Sequence, residues 1–202
     1  MNEKALAYFS PSALGVLERL ECEDAEERRL GTSREKRARQ IAPTTGRFLF
    51  ALAAARPGCK VLEIGGSRGY SAIWLAAAAS QSGGSVVSLE HDPRKAIAWR
   101  ANVAEAGLDA HAKLIEGDAF MILRALDERF DLCFLDAEKE DYERLFALAR
   151  ETLVPGAVVI ADNVLSHAED LAAYSQARQN DPTLVSVTVP LDRGLELSVL
   201  SL

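Results

Sequence analysis

The sequence predicts an α/β protein: a doubly wound sheet of seven strands, the last one antiparallel, preceded by N-terminal helices. Three observations carry this expectation. From Gly58 onward, short apolar runs alternate with segments of helical periodicity. Before that point, residues 1 to about 56 read as helical throughout. The last two apolar runs are separated only by Asp192-Arg193-Gly194, a link too short for a crossover between parallel strands.

In order, Ser10-Pro11 is an N-cap followed by a proline at the first helical position, with Leu14, Val16, Leu17 and Leu20 available for burial. Ser33 is placed to cap a second helix over the basic stretch. Pro43-Thr44-Thr45 opens a third through RFLFALAAA, which Arg56-Pro57-Gly58 ends. The apolar runs then cover residues 60–64, 85–90, 113–116, 131–136, 157–162, 184–191 and 195–202. Helical patterns over 70–80, 93–106, 118–126, 139–153 and 167–179 separate the first six. Strands alternating with helices of that length form βαβ units, so six strands run parallel and the seventh turns back. The chain reads as one domain, 1–202, with a helical cap over 1–56 and an α/β core over 57–202.

Composition narrows the function classes. At 202 residues, 49% hydrophobic and 26% charged, the chain is long enough to bury a core without disulfides or a structural metal. Cys22, Cys59 and Cys133 are odd in number and show no CxxC spacing, which argues against a zinc site or a disulfide framework. The net charge of -7 disfavours a duplex-DNA binder. Residues 28–39 are a local exception, RRLGTSREKRAR, with six basic residues against Glu35 alone. Such a run is ordinarily a solvated face; its functional alternative is a patch for a phosphate-bearing substrate. The opening MNEKALAYFS lacks the apolar region of a signal peptide, and the longest apolar stretches, 48–55 and 72–79, fall short of the roughly 20 residues that span a bilayer. A cytoplasmic setting away from membranes is the expectation.

Ligands of doubly wound sheets bind beyond the carboxyl ends of the strands, so those ends hold the chemistry. The first ends VLEIGGSRGYS: Gly65, Gly66 and Gly69 permit a tight turn and close backbone approach, as a purely structural turn also would. Glu63 beside this loop is a poor neighbour for pyrophosphate and a good one for a cationic or amine-bearing ligand. The second ends SLEHD, with Glu90 where a carboxylate accepts from ribose hydroxyls and His91 able to pack on an adenine face. The third ends EGDAF, where Asp118 could bond an adenine amino group or simply cap the next helix.

The fourth strand ends FLDAEKEDY and the fifth VIADN. If these two strands are neighbours, Asp136, Asp162 and Asn163 converge as three hard oxygen donors suited to Mg²⁺ or Ca²⁺. Lys139 follows Asp136 by three residues, within reach of that point as a base. Alone, Asp136 would read as a helix cap; its coincidence with Asp162-Asn163 favours the metal.

The motifs EIGGSRGYS, LEHD, EGDA, FLDAEKEDY, LVPGAVVIADNVLSH and PLDRGLELSV together resemble the metal-dependent O-methyltransferases of the catechol and caffeoyl-coenzyme A type. These are class I enzymes using S-adenosylmethionine on a Rossmann-like sheet, and the resemblance covers nearly the whole chain. It implies metal ligation by Asp136, Asp162 and Asn163, with Mg²⁺ or another divalent cation such as Mn²⁺ or Ca²⁺, and Lys139 as catalytic base. It implies that Glu63, Gly65 and Ser71 surround the methionine part of the cofactor, with Gly66 in the same loop and Asp136 alongside. Glu90 would hold the ribose, and His91, Asp118 and Ala119 would border the adenine. Ile41 matches a further cofactor-contacting position, and a homodimer is implied. Two departures stand out. Asp192-Arg193-Gly194 replaces a turn that is often Gly-Asp-Gly in the family, and Ser67-Arg68 fills a variable part of the glycine loop.

The acceptor implied is a hydroxyl of a catechol-like or hydroxycinnamoyl small molecule. Two alternatives accompany it. One is methylation of a hydroxylated tRNA uridine, with the basic stretch on the RNA backbone. The other is a nicotinamide-dependent oxidoreductase on the same type of sheet, against which the GGSRG spacing, Glu63 and the oxygen-rich cluster speak.

Overall fold

The computed structural model describes residues 8–33 and 36–201. Two helices precede the sheet: α1 (Pro11–Arg29) and α2 (Pro43–Ala54). The core then alternates β1 (Lys60–Ile64), α3 (Tyr70–Ser82), β2 (Ser85–Glu90), α4 (Pro93–Glu105), β3 (Ala112–Glu116), α5 (Ala119–Ala125), β4 (Phe130–Leu135), α6 (Tyr142–Arg150), β5 (Leu153–Ala161) and α7 (Ala168–Asn180). The hairpin β6 (Leu184–Val189) and β7 (Leu195–Leu200) ends it. Strand order is β3-β2-β1-β4-β5-β7-β6, with β7 antiparallel to both of its neighbours. The predicted sheet is therefore the observed one.

Capping chemistry sets the helix starts. Ser10 accepts the Ala13 N–H ahead of Pro11, Asp92 accepts that of Arg94 ahead of Pro93, and Asp118 accepts that of Phe120. The second predicted cap helix is absent among the described residues. Gly31, at φ 64°, ends α1, and Ser33 uses its carbonyl to accept the N–H groups of Lys36 and Arg37 in a turn. Residues 38–42 then run without regular structure to α2; Arg34 and Glu35 lie outside the described residues, as do residues 1–7 and Leu202. The helix expected over 139–153 is also shorter. It opens as a 3₁₀ turn, Lys139–Asp141, and the chain is already in β5 at Leu153.

Alternation along the strands sorts the core into two layers. Val61, Val86, Leu132, Phe134 and Ile160 face α1 to α4, whereas Leu62, Val87, Cys133, Leu135 and Val159 face α5 to α7. Helix α3 is buried almost all round because its face is built of Ala72, Ala76, Ala77, Ala78 and Ala79, small enough to sit between the sheet and α2. Cys59 and Cys133 are buried, Cys22 is exposed, and all three are free thiols.

Candidate active site

Between β1 and β4 the strand order reverses, and the ends of β1 to β5 open on a cavity of about 570 Å³. Its floor is a backbone contact. Gly65, at φ 99°, lies so close to the Asp136 carbonyl that a Cβ there would collide with it, so no other residue fits.

At the β2–β3 side the polar groups are already organised. Glu90 is 6% exposed; one of its oxygens accepts the Ser67 N–H at 2.8 Å and the other the Asp92 N–H at 2.8 Å. Asp118 caps α5 and also lines the cavity. Ala119 lines the same wall, and His91 sits at the mouth with its side chain 77% exposed.

Glu63 differs. It pairs across the sheet with Ser88 and Phe134, is fully buried, and receives a hydrogen bond from Ser88, with the Ser71 hydroxyl nearby. Its Oε1 has no partner. Burial, with Asp136 and Glu90 near it, pushes its carboxyl up to about 7 despite those two hydroxyls. A carboxylate so placed fits the ammonium group of a cofactor. Ile41, Gly66 and Ser71 line a small extension of the cavity that shares Gly65, Ser67 and Asp136 with the main chamber.

On the other side, β4 and β5 pair in parallel with Leu135 opposite Ala161, which sets Asp136 and Asp162 side by side at the strand tips. Asp162 is 2% exposed and its Oδ1 has no hydrogen-bond donor. Burial and the neighbouring Asp136 carboxylate push its carboxyl up. Asn163, at φ 70°, occupies a backbone conformation that asparagine tolerates better than most residues. Two adjacent carboxylates, one with an orphaned oxygen, and a carboxamide form an all-oxygen donor set that fits a hard divalent cation. Among the described residues no group of three or more His, Cys, Asp and Glu side chains could hold a metal; the set here counts two such side chains, Asp136 and Asp162, and the Asn163 carboxamide.

Lys139 stands over this corner with its side chain 8% exposed. Its Nζ donates to Asp136 Oδ1 at 3.1 Å, to the Ala137 carbonyl at 3.0 Å and to Tyr142 Oη at 2.7 Å. Tyr142 in turn donates to the Asp162 carbonyl at 3.0 Å, tying the lysine to β5. Sequence reasoning missed Tyr142, which reads as an ordinary core aromatic; its spacing of three after Lys139 is the signal that was available. It also missed Arg39, which enters the cavity wall and pairs with Glu138 at 2.7 Å.

Half of the basic residues of the 28–39 stretch are paired with nearby acids: Arg28 with Asp24, Arg29 with Glu26 and Arg39 with Glu138. No helix among the described residues is long and apolar enough to cross a membrane.

The chain resembles proteins already known as methyltransferases. The chain is 36% identical over 129 residues to a protein named catechol O-methyltransferase from Niastella koreensis, covering 62% of this chain and 58% of that protein. It is 37% identical over 138 residues to one of the same name from Mycobacterium tuberculosis, covering 68% and 62%. It thus matches about six-tenths of the length of these two relatives. The crystal structure of an O-methyltransferase from Bacillus cereus in complex with SAH superposes with a TM-score of 0.79 at 26% identity, covering 93% of this chain and 91% of that one. Residues 62–164, just over half of the chain and the stretch from β1 through the tip of β5, match the methyltransferase-domain family, and the chain belongs to that family.

Proposed function

We propose that the protein transfers a methyl group from S-adenosylmethionine to a hydroxyl of a small vicinal diol, catechol-like or hydroxycinnamoyl, with help from a divalent cation. The observation that carries this reading is the β4–β5 pairing, which sets Asp162, buried, beside Asp136; Asp136, Asn163 and Lys139 line the cavity that Glu90 and Asp118 also line. The names of the relatives and of the Bacillus cereus structure support methyl transfer to oxygen.

When bound, the cofactor supplies a sulfonium methyl group and the cation supplies charge that favours an ionised acceptor oxygen. The chain's own residues do the rest. Asp136, Asp162 and Asn163 would hold the cation. Glu63 would take the cofactor's ammonium group, Glu90 its ribose, and Asp118 with Ala119 and His91 would border its base. Lys139 would receive the acceptor hydroxyl proton at Nζ. Asp136 and Tyr142 hold that nitrogen over the corner, so little motion separates rest from reaction. The proton lost by the acceptor would leave on the lysine.

A small acceptor is favoured over tRNA because half of the basic residues of the 28–39 stretch are already paired with neighbouring acids. A homodimer in the cytoplasm belongs to the same proposal, with exposed Tyr8 and Leu30 beside α1 as apolar contact points. The test is transfer of labelled methyl to catechol, a hydroxycinnamoyl thioester and tRNA, with Mg²⁺ or with EDTA. Mg²⁺-dependent labelling of a diol is expected; labelling of tRNA alone, or full activity in EDTA, overturns the reading.

A further inference from the structure

The turn between β6 and β7 is pinned on two sides. The Asp192 carboxylate, at a residue with φ 52°, accepts the Thr44 hydroxyl at 2.8 Å and the Thr45 hydroxyl at 2.7 Å, fastening the turn to the first turn of α2. The Arg193 carbonyl accepts the N–H groups of Leu165 and Ser166 at 3.0 and 2.9 Å, and Gly194 packs against Leu165 with no room for a Cβ. Arg193, held between these anchors, lines the cavity beside Lys139, Asn163 and His167 and lies within electrostatic reach of Asp162.

Its guanidinium forms no ion pair or side-chain hydrogen bond among the described residues. Two other cations of the cavity wall are paired, Lys139 with Asp136 and Arg39 with Glu138. A planar fork of donors, unpaired and carried on an anchored turn, matches a carboxylate in a two-point contact. Phosphate suits it less, because Asp136, Glu138 and Asp162 crowd the same corner and a second negative charge on the ligand would be repelled.

We infer that Arg193 selects acceptors bearing a carboxylate, so that the substrate class of this site is an anionic aromatic diol rather than a neutral one. This rests on the diol reading of the preceding subsection. The residue replaces what is often an acid at this turn in the resembling family, so the preference belongs to this chain.

The test compares 3,4-dihydroxybenzoate with its neutral isostere 3,4-dihydroxybenzamide. Each is titrated calorimetrically into protein loaded with S-adenosylhomocysteine and Mg²⁺, and each is assayed for methyl transfer. The wild type is expected to bind the carboxylate about tenfold or more tightly than the amide, the range of a hydrogen bond to a charged group. Arg193→Met should bring the two to parity, while Arg193→Lys should keep part of the difference. A purely structural role would weaken both ligands together and leave their ratio intact. Equal binding by the wild type, or a preference that survives Arg193→Met, overturns the inference. Methyl transfer to neither diol overturns the functional reading instead, a result the binding ratio does not depend on.

Discussion

The two flanks of the cavity treat their carboxylates in opposite ways. Near β2 and β3, Glu90 has a backbone donor for each oxygen and Asp118 doubles as a helix cap, so that flank is complete before any ligand arrives. Around β1, β4 and β5, Glu63 and Asp162 are buried deeper, and each keeps one oxygen with no donor. Burying a carboxylate unpaired is costly, and a fold tolerates it where a cation completes the site. The difference suggests that one flank is shaped to receive hydroxyls and a base, and the other to receive positive charge, organic at Glu63 and metallic at Asp162.

Removing the metallic charge gives the largest expected effect. EDTA should abolish methyl transfer, and excess Mg²⁺ should restore it, while binding of S-adenosylhomocysteine followed by calorimetry persists. Turnover that is indifferent to chelation would erase the contrast between the flanks. Lys139→Ala comes next, with kcat expected to fall about 10²–10⁴-fold and cofactor affinity expected to hold. A parallel loss of cofactor affinity would mean that the lysine serves the cofactor's half of the cavity.

A third experiment isolates Glu63 in the cofactor-free protein. An acid whose folded pKa is raised stabilises the fold while protonated, and that contribution is lost as pH rises from its ordinary 4.5 toward about 7. Glu63→Gln should therefore match the wild type near pH 4 and gain on it up to neutrality, by about 3 kcal/mol at most. Chemical denaturation at several pH values reads this; a difference independent of pH would mean that Glu63 is not an uncompensated carboxylate. The smallest effect lies outside both flanks. Ser10→Ala removes the cap of α1 and should cost about 1 kcal/mol, visible as a small drop in Tm with methyl transfer retained.

Much of this was legible in the sequence because strand ends carry abrupt chemical changes. Apolar runs stopping at Glu63, Glu90, Asp136 and Asp162 mark both the sheet and the rim of the cavity, and the predicted and observed bounds of β1 and β2 coincide. The adjacency of β4 and β5 was only a condition in the sequence, since register is a property of pairing that one strand does not encode alone. Residues 36–42 misled for a related reason. A run of Lys and Arg has good helix propensity, yet Gly31 ends α1, and the segment is drawn into tertiary bonds: the Ala38 carbonyl accepts the Ser67 hydroxyl and the Ala38 N–H meets Glu27. Tyr142 was hidden because its role depends on what faces it, Lys139; Arg193 stood out in the sequence as a departure, but its unpaired place on the cavity wall did not.

The contact of Gly65 with the Asp136 carbonyl has a mechanical consequence. At this point the ends of β1 and β4 meet through main chain, with no Gly65 side chain between them to bend, swap rotamer or be trimmed. The distance separating methyl donor from acceptor is thereby a fixed gauge, machined into the spacing of two hydrogen-bonded strands. Changes of substrate must then be made around that gauge, in the β6–β7 turn and the segment before α2, where the wall is assembled from replaceable parts.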